Sequence, residues 1–189
     1  MRAIGFLLQV VFFLGLIVAS LLAGGVISNR VPVGDPPGAV ARLTAYLTTN
    51  VAEVSPESDF PELRQPRYEA PPALLFDVLR RSAEGLRWDI RVLDPQKKEI
   101  QAVVTSRIWR FKDDVVARAE PAPKGGGSIL YVRSASRVGK GDLGANIRHV
   151  MDLRLAVEAR LPVEALPRPE EATPPTPEAP APQAAAAGD

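Results

Sequence analysis

The chain has 189 residues, of which 46% are hydrophobic and 24% charged, and its formal net charge is +1. It contains no cysteine, which excludes disulfide bonds, thiolate zinc sites, cysteine nucleophiles and a lipoprotein anchor. Basic residues exceed acidic ones between residues 61 and 161, an excess that suits a membrane surface or an anionic ligand but is too small to predict a nucleic-acid partner.

An apolar segment opens the chain. Residues 4–27 carry no charge and contain only Gln9 and Ser20 as polar interruptions. A helix of this length would be about 36 Å long, enough to cross a hydrocarbon core of about 30 Å. A cleaved signal peptide is the competing interpretation, but its apolar stretch is usually only about 7–15 residues long. The sequence therefore predicts a retained transmembrane anchor.

Basic residues lie on both sides of this anchor. Arg2 precedes it, and Arg30 and Arg42 follow it, so the positive-inside rule nearly cancels. We favour a signal anchor with the soluble part of the chain outside the cytoplasm.

Residues 28–59 are predicted to form a linker with one short amphipathic segment. Proline and glycine dominate residues 31–38, which indicates a stiff connection. Val40, Leu43 and Leu47 then follow at helical spacing. This short helix would lie either on the domain or on the membrane surface.

Residues 60–161 have the mixed composition of a folded domain and predict the order β-α-β-β-β-β-α. A short strand over residues 64–69 precedes Pro71-Pro72, which suits the first turn of a helix. That helix carries one apolar stripe, made of Leu75, Val78, Leu79 and Leu86.

Four strands and a second helix follow in the same domain. Alternating and β-branched residues predict strands from Trp88, over residues 100–109, over 114–118 and over 128–138. Asp142 is well placed to cap the last helix. The apolar positions of that helix are Leu143, Ile147, Val150, Met151, Leu153 and Val157. Short connections between strands predict an α+β fold, an antiparallel meander of about five strands with two helices on one face.

Residues 162–189 form a Pro/Ala-rich acidic tail. From residue 165 onward the tail has no aromatic and no β-branched apolar residue. Such a segment cannot bury enough surface to offset the entropy of ordering, so it is predicted to be disordered.

Two separated motifs resemble a known family. They are RFKDDVV at residues 110–116 and VRSASRVGKGDLGANIRH at residues 132–149, and residues 60–63 and 85–88 also fit. The pattern is similar to the bacterial and chloroplast family called domain of unknown function 1499, over roughly residues 60–161. The resemblance implies a membrane-anchored or exported protein, here in a bacterial inner membrane with a periplasmic domain, and it implies no particular chemistry.

A candidate anion site lies within the second motif. If Glu120 pairs with Ser128 in a hairpin, Asp113 faces residue 135 and lies diagonally between Arg133 and Arg137. If the register of the hairpin were shifted by one residue, Asp114 would lie between the two arginines instead.

Just beyond this strand, the chain enters the N-terminus of the last helix, where an anion is favoured. Arg133, Arg137, Lys140 and Asn146 are the candidate ligands of a phosphate, a carboxylate or a lipid headgroup. The alternative is purely structural, with Asp113 or Asp114 pairing the arginines and Asp142 filling the helix N-terminus.

Evidence for catalysis in the sequence is weak. His149 is the single histidine, and a hydrolase would combine it with Ser134, Ser136 or a nearby aspartate, but no nucleophile motif is present. Asp113 and Asp114 would point to opposite faces of a strand, so they do not form a joint metal or acid/base pair. The sequence thus predicts a non-enzymatic binding or interaction module without metal or cofactor, whose partner is an anionic ligand or an unknown protein.

Overall fold

The computed structural model describes residues 2–106, 110–123, 125–161 and 163–164. Its helices are α1 Arg2–Asn29, α2 Ala39–Thr48, α3 Pro72–Gly85 and α4 Ala145–Glu158. Its strands are β1 Val51–Glu53, β2 Arg67–Tyr68, β3 Asp89–Asp94, β4 Glu99–Thr105, β5 Lys112–Pro121, β6 Ser128–Ser136 and β7 Val163–Glu164. The predicted α+β class with one N-terminal apolar helix is confirmed.

The strands form one antiparallel sheet in the order β3-β4-β5-β6-β2-β7. The predicted meander corresponds to β3 through β6, which are neighbours in both sequence and space. Two strands share the edge of β6 that faces away from β5. β1 pairs with residues 133–135 of that edge, and β2 pairs with residues 128–129. β1 and β7 are additions that the sequence did not predict.

The register of the β5–β6 hairpin differs by one residue from the prediction. Asp114, not Asp113, lies opposite Ala135, and Pro121, not Glu120, pairs with Ser128. The burial pattern explains this register. Odd-numbered residues of β5 and even-numbered residues of β6 are the buried ones beneath the helices. The observed pairing places both sets on one face, whereas the predicted pairing would place them on opposite faces.

The hydrophobic core lies between the inner face of the sheet, which we define as the face covered by α3 and α4, and those two helices. The core contains both predicted apolar stripes. Its fully buried side chains on the helices and the sheet are Leu75, Leu79, Val150, Leu153, Val157, Ile100, Val115, Leu130 and Val132.

The folded unit begins well before residue 60, the predicted start of the domain. β1 adds residues 51–53 to the sheet. In α2, Arg42 is fully buried and makes two hydrogen bonds to Glu62, at 2.6 and 3.0 Å, and Tyr46 is 1% exposed. The segment predicted as a linker is therefore partly a structural element of the domain.

The end of α1 packs directly on the domain. Residues 25 and 26 are buried, and a Cβ added at Gly25 would lie 2.3 Å from Leu143. The Asn29 amide also donates a hydrogen bond to the Leu143 carbonyl oxygen, at 2.9 Å. Within α1, the segment Ile4–Asn29 is long and apolar enough to cross a membrane.

The start of α4 and the C-terminal tail bear on two of the predictions. α4 begins at Ala145, so Leu143 lies in the preceding turn with φ 57° instead of on the helix. Of the predicted disordered tail, the structure describes only the backbone pairing of β7 with β2. The rest of residues 162–189, like residues 107–109 of the predicted long strand, lies outside the described residues.

Candidate functional site

Two of the predicted anion ligands lie on the outer face of the sheet, opposite the helices. Arg137 donates two hydrogen bonds to Asp114, at 2.9 and 2.6 Å, and Arg133 lies 3.7 Å from Glu53. Hydrogen bonding to Arg137 holds the pKa of the Asp114 carboxyl below its usual range. Both arginines therefore already face a carboxylate.

The other two predicted ligands lie elsewhere. Lys140 is exposed in the turn between β6 and α4 and has no ion pair within the described residues. Asn146 is fully buried on the inner face of the sheet. The structure thus separates Asn146 from Arg133 and Arg137 by the thickness of the sheet.

The N-terminus of α4 is occupied by a side chain of the protein itself. Asp142 accepts hydrogen bonds from the backbone N–H groups of Gly144 and Asn146, at 2.8 and 2.9 Å. Burial is the main cause that raises the pKa of Asp142, and these hydrogen bonds oppose it. The predicted capping role of Asp142 is consistent with these contacts.

A buried polar cluster lies beneath α4, formed by Asp113, Ser134, Asn146 and His149. Ser134 donates to the Asn146 side-chain oxygen at 2.5 Å, and its hydroxyl oxygen is 3.3 Å from Nδ1 of His149. The nitrogen of the Asn146 NH₂ group lies within hydrogen-bond distance of the Asn50 carbonyl oxygen, Ser136 Oγ and Asp142 Oδ2, at 2.8, 2.8 and 2.6 Å. Its two N–H hydrogens are shared among these three acceptors. Asn146 therefore connects β6, the end of α2 and the start of α4.

Two titratable groups of this cluster have shifted pKa values. Burial lowers the pKa of His149 to about 4, so the ring is neutral at pH 7. Burial is also the main cause that raises the pKa of Asp113, which is 1% exposed, and the nearby Ser136 hydroxyl opposes this shift. Asp113 Oδ2 lies 3.6 Å from His149 Nδ1, too far for a hydrogen bond.

The cluster resembles a hydrolase triad in composition but not in geometry. In a Ser-His-Asp triad, the serine and the aspartate bind different ring nitrogens of the histidine. Here Ser134 and Asp113 both approach Nδ1 of His149. Ser134 is also fully buried, so its oxygen cannot reach a substrate in this conformation.

A cavity of about 300 Å³ adjoins this cluster at the end of α1. It lies between the last residues of α1, the turn before β3, the end of β4 and one side of α4. Neutral hydrogen-bonding groups and the rings of Trp88 and His149 form part of its wall. Its charged lining residues are Arg30, Arg87, Asp89, Arg148 and Asp152.

The charges around this cavity are unbalanced. Arg148 pairs with Asp152 at 2.5 Å, and Asp89 pairs with Arg91. Arg30 and Arg87 make no ion pair within the described residues. We call this space the arginine cavity, because two arginines without a carboxylate partner reach it.

A second cavity of about 190 Å³ lies on the other side of Ser28 and Asn29, which line both spaces. Asp113, Phe111 and Val138 contribute to its wall. Within the described residues, no group of three or more His, Cys, Asp or Glu side chains could hold a metal ion.

Sequence comparison identifies the family. A family model described as "Protein of unknown function (DUF1499)" matches residues 31–157, two thirds of the chain. The chain belongs to this family. No curated protein matches it. The DUF1499 match starts at residue 31, which agrees with the inclusion of α2 and β1 in the folded domain.

Sequence reasoning missed the arginine cavity. Arg30 directly follows the apolar run, and Arg87 precedes Trp88 at the start of a strand. These positions were the available signal, since basic and tryptophan residues commonly border membrane spans. The cavity itself could not be predicted, because its wall joins segments about 120 residues apart in the chain.

Proposed function

We propose that this DUF1499 protein is a membrane-tethered binding module without catalytic activity, which holds an anionic group in the arginine cavity. The supporting observation is that Arg30 and Arg87, both without ion pairs among the described residues, line a cavity beside the end of α1. An arginine side chain presents N–H donors in a planar fork that matches phosphate and carboxylate oxygens. The cavity volume is at the lower end of ligand sites, and suits a headgroup-sized anion.

Other groups in the cavity support this assignment. Thr105 supplies a hydroxyl group beside the arginines, and Asn29 supplies the amide N–H that it does not donate to Leu143. His149, neutral at pH 7 because burial lowers its pKa to about 4, offers a ring nitrogen without adding charge. The position at the end of α1 would place the cavity at the level of lipid headgroups if α1 spans a membrane.

A hydrolase built on His149 is the alternative. It is favoured by the proximity of Asp113 and Ser134 to the ring. We prefer the binding function because the buried Ser134 hydroxyl already donates to Asn146 and because both neighbours approach the same ring nitrogen.

The binding proposal can be tested with the full chain in a nonionic detergent. Inorganic phosphate, and separately micelles doped with phosphatidylglycerol, should raise the melting temperature of the wild type, because a ligand that binds only the folded state stabilises it. Arg87→Ala should abolish most of this increase. An equal increase in wild type and Arg87→Ala would contradict the proposal.

Lys98→Ala is the matched control for Arg87→Ala. Both residues are basic and have left-handed backbone conformations, with φ 51° for Lys98 and φ 58° for Arg87. Lys98 lies in the β3–β4 turn, at the opposite end of β4 from the cavity. The control should therefore keep the wild-type response to both anions, although it also loses one positive charge.

We further propose that α1 stays attached as an anchor and that residues after Arg30 lie on the periplasmic side of a bacterial inner membrane. The chain has no cysteine, so a single cysteine placed after Arg30 can be labelled without background. It should react with a membrane-impermeant reagent from outside intact cells. Labelling only after lysis, or a mature N-terminus near Val26, would contradict the orientation or the retained anchor, respectively.

A further inference from the structure

Several turns of the domain meet at the same end of the molecule as the last residues of α1. Phe111, which directly precedes β5, and Val138, between β6 and α4, both lie there, since they line the second cavity together with Ser28 and Asn29. The end of α2 joins them. The Leu47 carbonyl packs so closely on Gly141 that a Cβ at position 141 would lie 2.2 Å away.

Large apolar side chains at this end are exposed. The exposed fraction is 74% for Ile27, 44% for Leu47, 51% for Phe111 and 68% for Val138. We call these four residues the apolar rim. Val40 and Leu43, which are also exposed, extend it along α2, whose opposite side carries the buried Arg42 and Tyr46.

Basic side chains surround the apolar rim. Arg30, Arg110, Lys112 and Lys140 are exposed at this end and make no ion pair within the described residues. Exposed apolar side chains next to unpaired basic ones are typical of surfaces that bind anionic lipid.

The length of α1 places the rim relative to a bilayer. The segment Ile4–Asn29 has 26 residues, which corresponds to about 39 Å of helix, whereas a hydrocarbon core is about 30 Å thick. About six residues at its end would then lie in the headgroup region. They include Gly25 and Asn29, which contact Leu143, so no free linker separates the domain from the lipid.

We infer that the apolar rim docks onto the lipid surface, with Phe111 and Val138 inserted at the level of the headgroups and upper acyl chains. This inference rests on the proposed membrane anchoring by α1. The occupant is lipid and not a second protein, because the rim is continuous with the end of the apolar helix and is bordered by unpaired basic residues.

Fluorescence quenching in vesicles tests this docking. Single cysteines replacing Phe111 or Val138 in the full chain are labelled with an environment-sensitive fluorophore. The protein is then incorporated at low density into vesicles of phosphatidylglycerol and phosphatidylcholine that carry nitroxide-labelled lipid. Both labels should be quenched by nitroxides near the headgroups and show blue-shifted emission.

Two further positions serve as controls. Leu93→Cys is the matched control for Phe111, because Leu93 is 47% exposed and lies near the β3–β4 turn, at the opposite end of the sheet. Its label should remain unquenched. Phe13→Cys, in the middle of α1, reports the anchor itself and should be quenched by nitroxides deep in the acyl chains.

The outcomes separate the two proposals. Quenching at residues 13, 111 and 138 but not at 93 supports docking. Quenching at residue 13 alone overturns docking and leaves the anchor intact. Absence of quenching at residue 13 overturns the anchor, and docking with it. If the emission at residues 111 and 138 is blue-shifted without nitroxide quenching, and this blue shift disappears on dilution of the protein in the vesicles, the rim contacts a second copy of the chain, which also overturns lipid docking.

Discussion

Asp113 and Asp114 are adjacent in the sequence but lie on opposite faces of the sheet. The two carboxyl groups differ in exposure, in ion pairing and in the direction of their pKa shifts. On the outer face, Asp114 is half exposed and is paired with Arg137. On the inner face, Asp113 is buried and pairs with no lysine or arginine within the described residues. The pKa of Asp114 is lowered by its arginine, and that of Asp113 is raised by burial. Strand alternation alone thus gives identical side chains opposite energetic roles.

The faces also differ in how their polar groups are connected. The outer-face ion pairs Arg133–Glu53 and Arg137–Asp114 are about half exposed to solvent, so each contributes little to stability. Inner-face polar groups depend on one another, because the Asn146 side chain alone contacts four polar partners within hydrogen-bond distance. We expect substitutions on the inner face to have the larger effects.

Asn146→Ala should give the largest effect. It removes the partner of several polar groups that burial keeps from water, and each stranded group costs about 1–3 kcal/mol. We expect a loss of roughly 3 kcal/mol or more in the free energy of unfolding, measured by urea denaturation. Asn50→Ala, which removes a partly exposed amide bonded to the Gly139 carbonyl, is the control and should cost less. Similar losses in both variants would contradict the larger role assigned to the buried amide of Asn146.

His149→Gln should change the pH dependence of stability. Burial lowers the pKa of His149 to about 4, from 6.5 in the unfolded chain. Between these values the unfolded chain binds more protons, so the wild type loses stability as the pH falls from 6.5 towards 4. The full loss is about 3 kcal/mol, at about 1.4 kcal/mol per pKa unit.

Urea denaturation at several pH values between 7 and 4 measures this loss. The variant should show a flatter profile than the wild type. The raised pKa of Asp113 opposes this loss of stability at the acidic end of the range, because protonation of that carboxyl favours the folded state. Asp113 is present in both proteins, so its contribution does not distinguish the two profiles. Parallel profiles would show that His149 does not titrate as its burial predicts.

Asp113→Asn and Asp114→Asn should have opposite signs at pH 7. The folded-state pKa of Asp113 is raised, so its ionisation costs stability as the pH rises above its unfolded value. Removing that charge should stabilise the fold by about 1.4 kcal/mol for each unit of the pKa increase. Asp114→Asn removes a carboxylate whose pKa is lowered in the folded state, so this substitution should slightly reduce the stability of the fold. Thermal melts at pH 7 compare the pair, and destabilisation by both would refute the assignment of Asp113 as an unfavourable buried charge.

Arg137→Ala should have the smallest effect. Its side chain and that of Asp114 are 48% and 51% exposed, so water solvates either charge when the other is lost. We expect a melting temperature within experimental error of the wild type, and Arg137→Lys should behave alike. A large loss with Ala that is rescued by Lys would mean that the outer face also contains an essential ion pair.

The sequence was informative where structure is local. Helical spacing predicted α3 and most of α4, and alternation predicted β3 to β6 and the opposite faces of Asp113 and Asp114. The register of the hairpin required the burial patterns of two strands to be compared, and the loop length alone placed it one residue off. β1 is only three residues long, too short for its alternation to be recognised.

The candidate site was harder to predict because its contacts are not local. Asn146 meets the Asn50 carbonyl, 96 positions away in the chain. Pattern reasoning placed Asn146 beside Arg137 because both precede or open the same helix. It could not show that a sheet separates them.

The close contact between Gly25 and Leu143 has a mechanical consequence in a membrane. If α1 spans a bilayer, its tilt increases as the hydrocarbon core becomes thinner. Because the last turn of α1 packs on the domain without an intervening hinge, the domain would change its orientation together with the helix. Bilayer thickness would thereby set the height of Arg30 and Arg87 above the acyl chains.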